Sequence, residues 1–546
     1  MKRLDFTKKT HILFLILVLF FSAIEIKLIR FPGPLCDEAG VAAEALDIRQ
    51  KLSGESFVEA LLKHKIPLMR SYHGSLDVYL LLLTFSVFPI GVESMRSVAI
   101  FFGVMTIILT YLFTKEFFNK KYALFTIFLL VINPGFIMGT KIGIHHATIM
   151  NALSMTILLC LIKWYRLKRN IYFYLGIFFL GLGMWTRIQF FWLVFGLFLT
   201  AAVFRNNLKQ RFKNDNVNNL WRYAILGAIF FLLGCLPIVY HECTTSFSTV
   251  KLLMNYLKSP LYGVDNLRYF YGLATIMHRF YRYLTGAAYF LLQFQDPSNN
   301  FINNLYPWVL LISIVYLIIS IILRRELPYK KNIIFLLVLF IGMLIITPIS
   351  ISGYADFHLF LFYPFVQLII SVAVIDFIHT FKKLKVVVIT VVVFSIIFIV
   401  KEINGVKGYL YLLNKTGGRL YYSPTVYELT DYFLKSKKYT GIIIGSWGLQ
   451  NVIDVVSGGK IQTTYCLQYS EEQYRQFLQD KTNIYVCYPK EFPNIVMNRN
   501  LNNLENFMYA VNQLNLRLTE IKRFYERDST PIYIIISISQ KEAISD

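Results

Sequence analysis

The chain has 546 residues, of which 56% are hydrophobic and 16% charged, with a formal net charge of +23. Such an apolar, sparsely charged composition excludes an ordinary soluble protein and requires most backbone groups to be satisfied inside lipid. The positive excess does not indicate nucleic acid, because the lysines and arginines concentrate in short segments between apolar runs, which is the positive-inside pattern of membrane proteins.

In chain order, the first apolar run, His11 to Ile29, has a basic flank but no clear small-x-small cleavage site, and reads as an uncleaved anchor. After it comes RFPGPLCDEAGVAAEALDIR, Arg30 to Arg49, where a Pro-Gly-Pro turn ends the helix and the adjacent acids Asp37 and Glu38 follow. Leu76 to Val92 is apolar, but it carries Asp77 and is interrupted at Pro89 and Gly91. Counting it as a crossing would put every later basic cluster on the wrong side, so it is expected to be an interfacial helix.

About 11 transmembrane helices are expected, near 11-29, 96-114, 122-138, 145-163, 171-187, 188-204, 221-241, 305-323, 332-350, 357-378 and 384-400. These place the basic clusters, from Lys2 and Arg3 to Lys382, Lys383 and Lys385, on the cytoplasmic side. The segments 30 to 95 and 242 to 304, Gly139 to Ile144, the turn at Arg187, and Ser350 to Asp356 then lie outside. The fold class is thus a polytopic α-helical membrane protein, residues 1-400, followed by a small extracytoplasmic α/β domain, residues 401-546. In that domain Tyr439 to Gly445, Asn483 to Tyr488 and Ile532 to Ile538 read as strands, and Ser470 to Gln479 and Asn503 to Leu514 as helices. The six cysteines lack paired metal-ligand spacing, and whether Cys466 and Cys487 are bridged stays open.

Asp37 and Glu38 admit two readings. One is a solvated helix N-terminus whose acids complement the dipole. The other is a carboxylate at the membrane face that takes the proton of an acceptor hydroxyl, while nearby cations hold a departing phosphate.

The order of several segments resembles the GT-C fold glycosyltransferases, in particular protein O-mannosyltransferases and the aminoarabinose transferase that modifies lipid A. The segments are Asp37-Glu38 in the first outer loop, His73-Gly74-Ser75-Leu76 opening a membrane-surface helix, and Met95-Arg96-Ser97 beginning the next span. TKEFFNKKY (Thr114 to Tyr122), Asn133-Pro134-Gly135-Phe136 and GLGMWTRIQ (Gly181 to Gln189) continue it over about the first 200 residues. The chain departs from the family where Gly74-Ser75 replaces Pro-Pro, and where His145-His146 stands in place of an aspartate.

The resemblance implies a membrane glycosyltransferase, inverting, that moves one hexosyl or pentosyl unit from a polyprenyl-phosphate donor to an extracytoplasmic protein, lipid or glycan acceptor. It implies Asp37 as base with Glu38 in support. Arg96 is expected to meet the first-loop acids or the lipid phosphate, and Arg187 either contacts phosphate or snorkels. Arg279 and Arg282, three apart on one helical face, clamp the phosphate or simply sit with the neighbouring tyrosines at the headgroup level. His73, His145 and His146 are candidates for acceptor or metal contact, or interfacial histidines bonded to backbone. No cofactor is expected, although the chemistry leaves room for a divalent cation. Membrane lipid is an expected partner and nucleic acid is not. The rival class is a transporter or lipid flippase, which should bury ionisable residues within its spans or show inverted repeats. The sequence displays no repeat, and its charges gather at loop positions.

Overall fold

The computed structural model describes residues 2–52, 59, 66–70, 73–142, 145–213, 217–258, 268–295, 301–349, 356–436, 441–446, 448–466, 473, 478, 483–489, 504–513 and 516–540. Helix α1 (Lys2–Ile26) leads through the Pro-Gly-Pro loop to α2 (Cys36–Lys51). A short antiparallel hairpin, β1 (Met69–Arg70) and β2 (His73–Gly74), precedes α3 (Leu76–Val87). Next come α4 (Val92–Phe117), α5 (Lys120–Val131), α6 (Pro134–Lys141), α7 (His145–Leu167), α8 (Asn170–Thr186), α9 (Phe191–Val203) and α10 (Arg205–Lys213). They are followed by α11 (Val217–Gly234), α12 (Leu236–Thr244), α13 (Ser248–Lys258), α14 (Tyr269–Leu284) and α15 (Ala287–Phe294). The last helices of the bundle are α16 (Tyr306–Leu323), α17 (Lys330–Ile346), α18 (Tyr363–Thr380) and α19 (Lys385–Thr416).

Among the described residues, seven helices are long and apolar enough to cross a membrane, and three bent helix pairs qualify if each is one span. The chain is therefore a multi-pass membrane protein. Helix α3, at 12 residues, spans about 18 Å and is short for a crossing.

Several expected spans are not straight. The run 122-138 breaks by 61° between α5 and α6. The cause is local: Pro134 cannot continue the ladder, and Asn133 Oδ1 accepts from the Phe136 amide at 2.9 Å, capping α6. The run 221-241 likewise bends by 70° between α11 and α12, where Pro237 occupies the first turn of the new helix. The expectation that charges avoid the spans also needs correction, since Glu25, Lys141, Asp376 and Glu402 are all buried. Glu25 lies 4.0 Å from Lys141, and Asp376 pairs with Arg324 at 2.7 Å, whereas Lys141 and Glu402 serve the irregular backbone. The Lys141 ammonium donates to the carbonyls of Ile24, Glu25 and Lys27 at 3.1, 2.6 and 2.9 Å, closing the end of α1. The Glu402 carboxylate accepts from Asn133 and Asn303, each at 2.7 Å, and so fixes the α5–α6 break.

The helices around α7 pack through small residues. A Cβ at Gly181 would lie 2.3 Å from the Phe231 carbonyl, so α8 and α11 approach backbone to backbone.

The domain boundary expected at residue 401 falls inside α19, which runs on to Thr416 and ends where Gly417 adopts a φ of 73°. The strongly apolar first half and the polar second half are one continuous helix, because no residue between them breaks the ladder. Beyond it lie α20 (Thr425–Lys435), β3 (Ile442–Ile444), α21 (Leu449–Val456), β4 (Thr463–Tyr465), β5 (Ile484–Cys487), α22 (Leu504–Gln513), β6 (Leu516–Tyr525) and β7 (Pro531–Gln540). They form a five-stranded sheet of order β4-β3-β5-β7-β6. The β3 pairings with β4 and β5 are parallel, and the β5–β7 and β6–β7 pairings are antiparallel. The helix expected over Ser470 to Gln479 lies largely outside the described residues. Cys466 and Cys487 are both buried and are not bridged to each other.

This domain is seated on the bundle. The Gly33 amide donates to the Gly417 carbonyl at 3.1 Å, and the Tyr427 hydroxyl donates to the Arg30 carbonyl at 2.6 Å. One hydrophobic core joins α2, α3 and the start of α4 to α20, α21 and the sheet.

Candidate active site

Helix α2 positions the two acids. Its buried face, Ala39, Ala42, Ala45 and Ile48, packs against α3 on one side and α21 on the other. Glu38 at the third helical position accepts from the Leu35 amide at 2.9 Å, which completes one half of a capping box. The same carboxylate is bound by Arg96, with Nη2–Oε1 at 2.6 Å and Nε–Oε2 at 3.2 Å. Arg96 also donates to the carbonyls of Ile29 and Pro32 at 2.9 and 2.7 Å. Both side chains are fully buried. The pair ties the loop before α2 to the start of α4, and turns Asp37, one residue earlier on the helix, the other way.

Asp37 opens into a polar cavity of about 370 Å³. Its walls are Cys36, Asp37, Gly40, Val41 and Glu44 from α2, Arg70 from the hairpin, and Gly448, Gln450, Asn451 and Tyr465 from the C-terminal domain. Glu44 lies seven residues after Asp37 and so shares its helical face. The Cys36 thiol contacts Asp37 Oδ1 at 3.7 Å. Burial raises the Asp37 pKa above its ordinary 3.8, opposed by that thiol contact and by the charge of Arg187. Burial also raises Glu44 to about 7, against the pull of Arg70.

A charged network backs the cavity. Arg70 pairs with Glu44 at 3.4 Å and with Asp77, and donates to the Gly74 carbonyl at 3.1 Å. His146 Nδ1 lies 3.9 Å from Asp77 Oδ2. On its other side His146 Nε2 meets Arg187, whose second terminal nitrogen lies 2.8 Å from His358 Nε2. A guanidinium only donates, so both facing imidazole nitrogens act as acceptors and both rings carry their proton on Nδ1. Neutral imidazoles fix Arg187 without cancelling its charge. His73 pairs with Arg187 as an isolated antiparallel bridge, and its ring lies 5.8 Å from that of His146. Burial, and then the Arg187 charge, hold the His73 imidazole well below its usual range.

The expected site residues therefore fall into groups. Asp37 reaches the cavity, Arg187, His73 and His146 stand behind it, and Glu38 and Arg96 bind each other. The side chain of His145 lies outside the described residues. Arg279 and Arg282 are on α14, an amphipathic helix packed through Ile276, Phe280 and Tyr283, and neither is among the described residues that line the cavity. The sequence reading missed Glu44, Arg70, His358 and the α21–β4 contribution. The i, i+7 spacing from Asp37 would have found Glu44. The others come from distant segments and carry no local signal.

Residues 73–241 match the family model described as "Dolichyl-phosphate-mannose-protein mannosyltransferase". A search of curated proteins finds no match. Among solved structures, ArnT from Cupriavidus metallidurans bound to undecaprenyl phosphate is 10% identical with a TM-score of 0.58, over 96% of this chain and 97% of that one. The same protein in the apo state gives 11% identity and a TM-score of 0.55, over 97% and 98%. The Archaeoglobus fulgidus oligosaccharyltransferase in its apo form gives 15% identity and a TM-score of 0.48, over 93% of this chain and 69% of that one. The bundle, the seated C-terminal domain and the family-model match together identify the chain as having the fold of the GT-C membrane glycosyltransferases.

Proposed function

We propose that the protein transfers a sugar from a polyprenyl-phosphate donor to an acceptor hydroxyl, outside the cytoplasm, with Asp37 as base. The observation that carries this reading is Asp37 at the wall of a polar cavity that also holds Arg70, with Arg187 close enough to bias its titration. The ArnT structure of the same fold has undecaprenyl phosphate bound, which supports a lipid phosphate as the leaving group.

In the reaction, Asp37 takes the acceptor proton as the acceptor oxygen attacks the anomeric carbon. The bond from that carbon to the phosphate oxygen breaks, and the electron pair leaves with the lipid phosphate. The leaving phosphate gains one negative charge, so it needs a cation rather than a general acid. Arg187, held by two imidazoles, is assigned that task, with Arg70, already paired with Glu44 and Asp77, beside it. Glu38 and Arg96 are positioning residues, because their charges are spent on each other and on backbone carbonyls. The positive-inside pattern supports an extracytoplasmic site, since Asn332 binds the Phe117 carbonyl and Arg166 pairs with Glu116 at the end of α4 opposite Arg96. A transporter is disfavoured, because buried ionisable groups within the spans have fixed partners: Lys141 and Glu402 hold backbone breaks and Asp376 pairs with Arg324.

The test is to incubate purified protein with a labelled polyprenyl-phosphate sugar and to add membrane-envelope extract as acceptor. Acceptor-dependent release of polyprenyl phosphate is expected. No release from a donor that demonstrably binds would overturn the reading.

A further inference from the structure

Four of the cavity's wall residues belong to the C-terminal domain, and their chemistry differs from that of the opposite wall. The α2 and hairpin side carries Asp37, Glu44 and Arg70, whereas Gly448, Gln450, Asn451 and Tyr465 supply a backbone turn, two amides and a phenol. The two walls are held at close range. Gly448 has a φ of +73°, and a Cβ there would lie 2.0 Å from the Cys36 Cβ; a Cβ on Gly40 would lie 3.2 Å from Asn451 Nδ2. A ligand in the cavity therefore touches Asp37 and α21 together.

We infer that the α21–β4 wall is the acceptor subsite and that it takes an uncharged carbohydrate bearing free hydroxyls, a reading that rests on the transfer function proposed above. Primary amides each offer donors and an acceptor in one plane, and a phenol adds another of each, so this set can bind adjacent hydroxyl groups that both donate and accept. No basic side chain is among the described residues of this wall; Asp37, Glu44 and Arg70 face it across the cavity, and Arg70 is already paired with Glu44 and Asp77. A phosphorylated acceptor would thus find no cation on this wall to receive it. A peptide acceptor would be expected to add to the sheet edge at β4. That edge is partly closed, because Gln450 Nε2 donates to the Thr463 carbonyl at 3.3 Å and Thr463 Oγ1 donates to Asp454 at 3.4 Å. Asn451 keeps its amide at the cavity wall beside Gly40, where it can meet the hydroxyl next to the one that attacks.

The test uses full-length protein in lipid nanodiscs and saturation-transfer NMR with three probes: methyl glycosides of glucose, galactose and mannose; a blocked pentapeptide containing serine and threonine; and glucosamine 1-phosphate. At least one methyl glycoside should receive saturation, and the other two probes should not. Asn451→Ala should weaken that binding at least tenfold, while polyprenyl phosphate binds as in wild type. Asn451→Asp, which keeps the shape but removes both donors, guards against a folding artefact and should also bind the glycoside more weakly. Saturation of the peptide or the sugar phosphate instead, of none of the probes, or unchanged glycoside binding in both variants would overturn the inference. Loss of polyprenyl phosphate binding by the wild type would instead overturn the transfer reading, so the two failures are distinct.

Discussion

Adjacent residues on one helical turn divide two jobs because their side chains leave α2 in different directions. Asp37 faces the cavity and Glu38 faces Arg96. Asp37→Asn keeps the size of the side chain but cannot take a proton, and positioned bases typically contribute about 10²- to 10⁴-fold. Transfer is expected to fall by that order with donor affinity unchanged, as read by turnover and lipid-phosphate binding in matched preparations. The pH dependence follows from the same environment. A base works ionised, and burial raises the Asp37 pKa above 3.8, so kcat/KM should fall as pH drops through that raised pKa. An acid limb that persists unchanged in the residual activity of Asp37→Asn would assign it to another group. Glu38→Gln acts differently. It leaves Arg96 buried without its counter-charge, and breaking a buried ion pair costs on the order of 3 to 5 kcal/mol. The expected result is a clearly lower melting temperature, with the surviving folded fraction still able to transfer. A variant as stable as wild type but inactive would move Glu38 into the chemistry.

Among the elements, the two-stranded hairpin before α3 has the greatest leverage for its size. It places Arg70 in the cavity and runs His73 alongside Arg187, which brings the residues on both sides of the phosphate reading into register. The contact is so close that a Cβ on Gly74 would lie 1.5 Å from the Trp185 carbonyl. Glycine is required by this approach of two backbones, and that explains physically why a bulkier residue does not stand there. Gly74→Ala should push β2 away from the 185–187 segment and misplace Arg70 and Arg187 together. Weaker binding of polyprenyl phosphate, by about tenfold or more for charge-assisted contacts of about 1.5 to 3 kcal/mol, with the helical circular dichroism intact, is the expected outcome. Unchanged donor affinity would show that the hairpin does not set the phosphate site.

Over the whole molecule, the basic clusters and the domain seated at the opposite end make a prediction about sidedness. Cys243 is exposed and the other cysteines are buried, so a Cys243→Ser protein offers a quiet background for a Tyr509→Cys probe on the exposed face of α22. A membrane-impermeant thiol reagent should label that site on intact cells; labelling only after lysis would reverse the topology. The sequence by itself determined the class of the molecule, because hydrocarbon burial demands long apolar runs and basic flanks that are visible one segment at a time. It also located the strands of β3, β5 and β7 through their apolar runs, and the acids of α2. It placed the domain boundary too early, since α19 loses its apolar character near residue 401 without any residue that stops a helix before Gly417. The short edge strand β4 and the long, alternately exposed β6 have too little apolar content to stand out. The cavity was decided only by tertiary structure. Its walls come from residues near 37, 70 and 450, and contacts between segments hundreds of positions apart depend on how the helices pack and where the last domain sits, for which no local pattern exists. The same reason explains Arg96: its position at the start of a span was legible, but its choice of Glu38 over a phosphate was made by the fold, which buried both charges in one place.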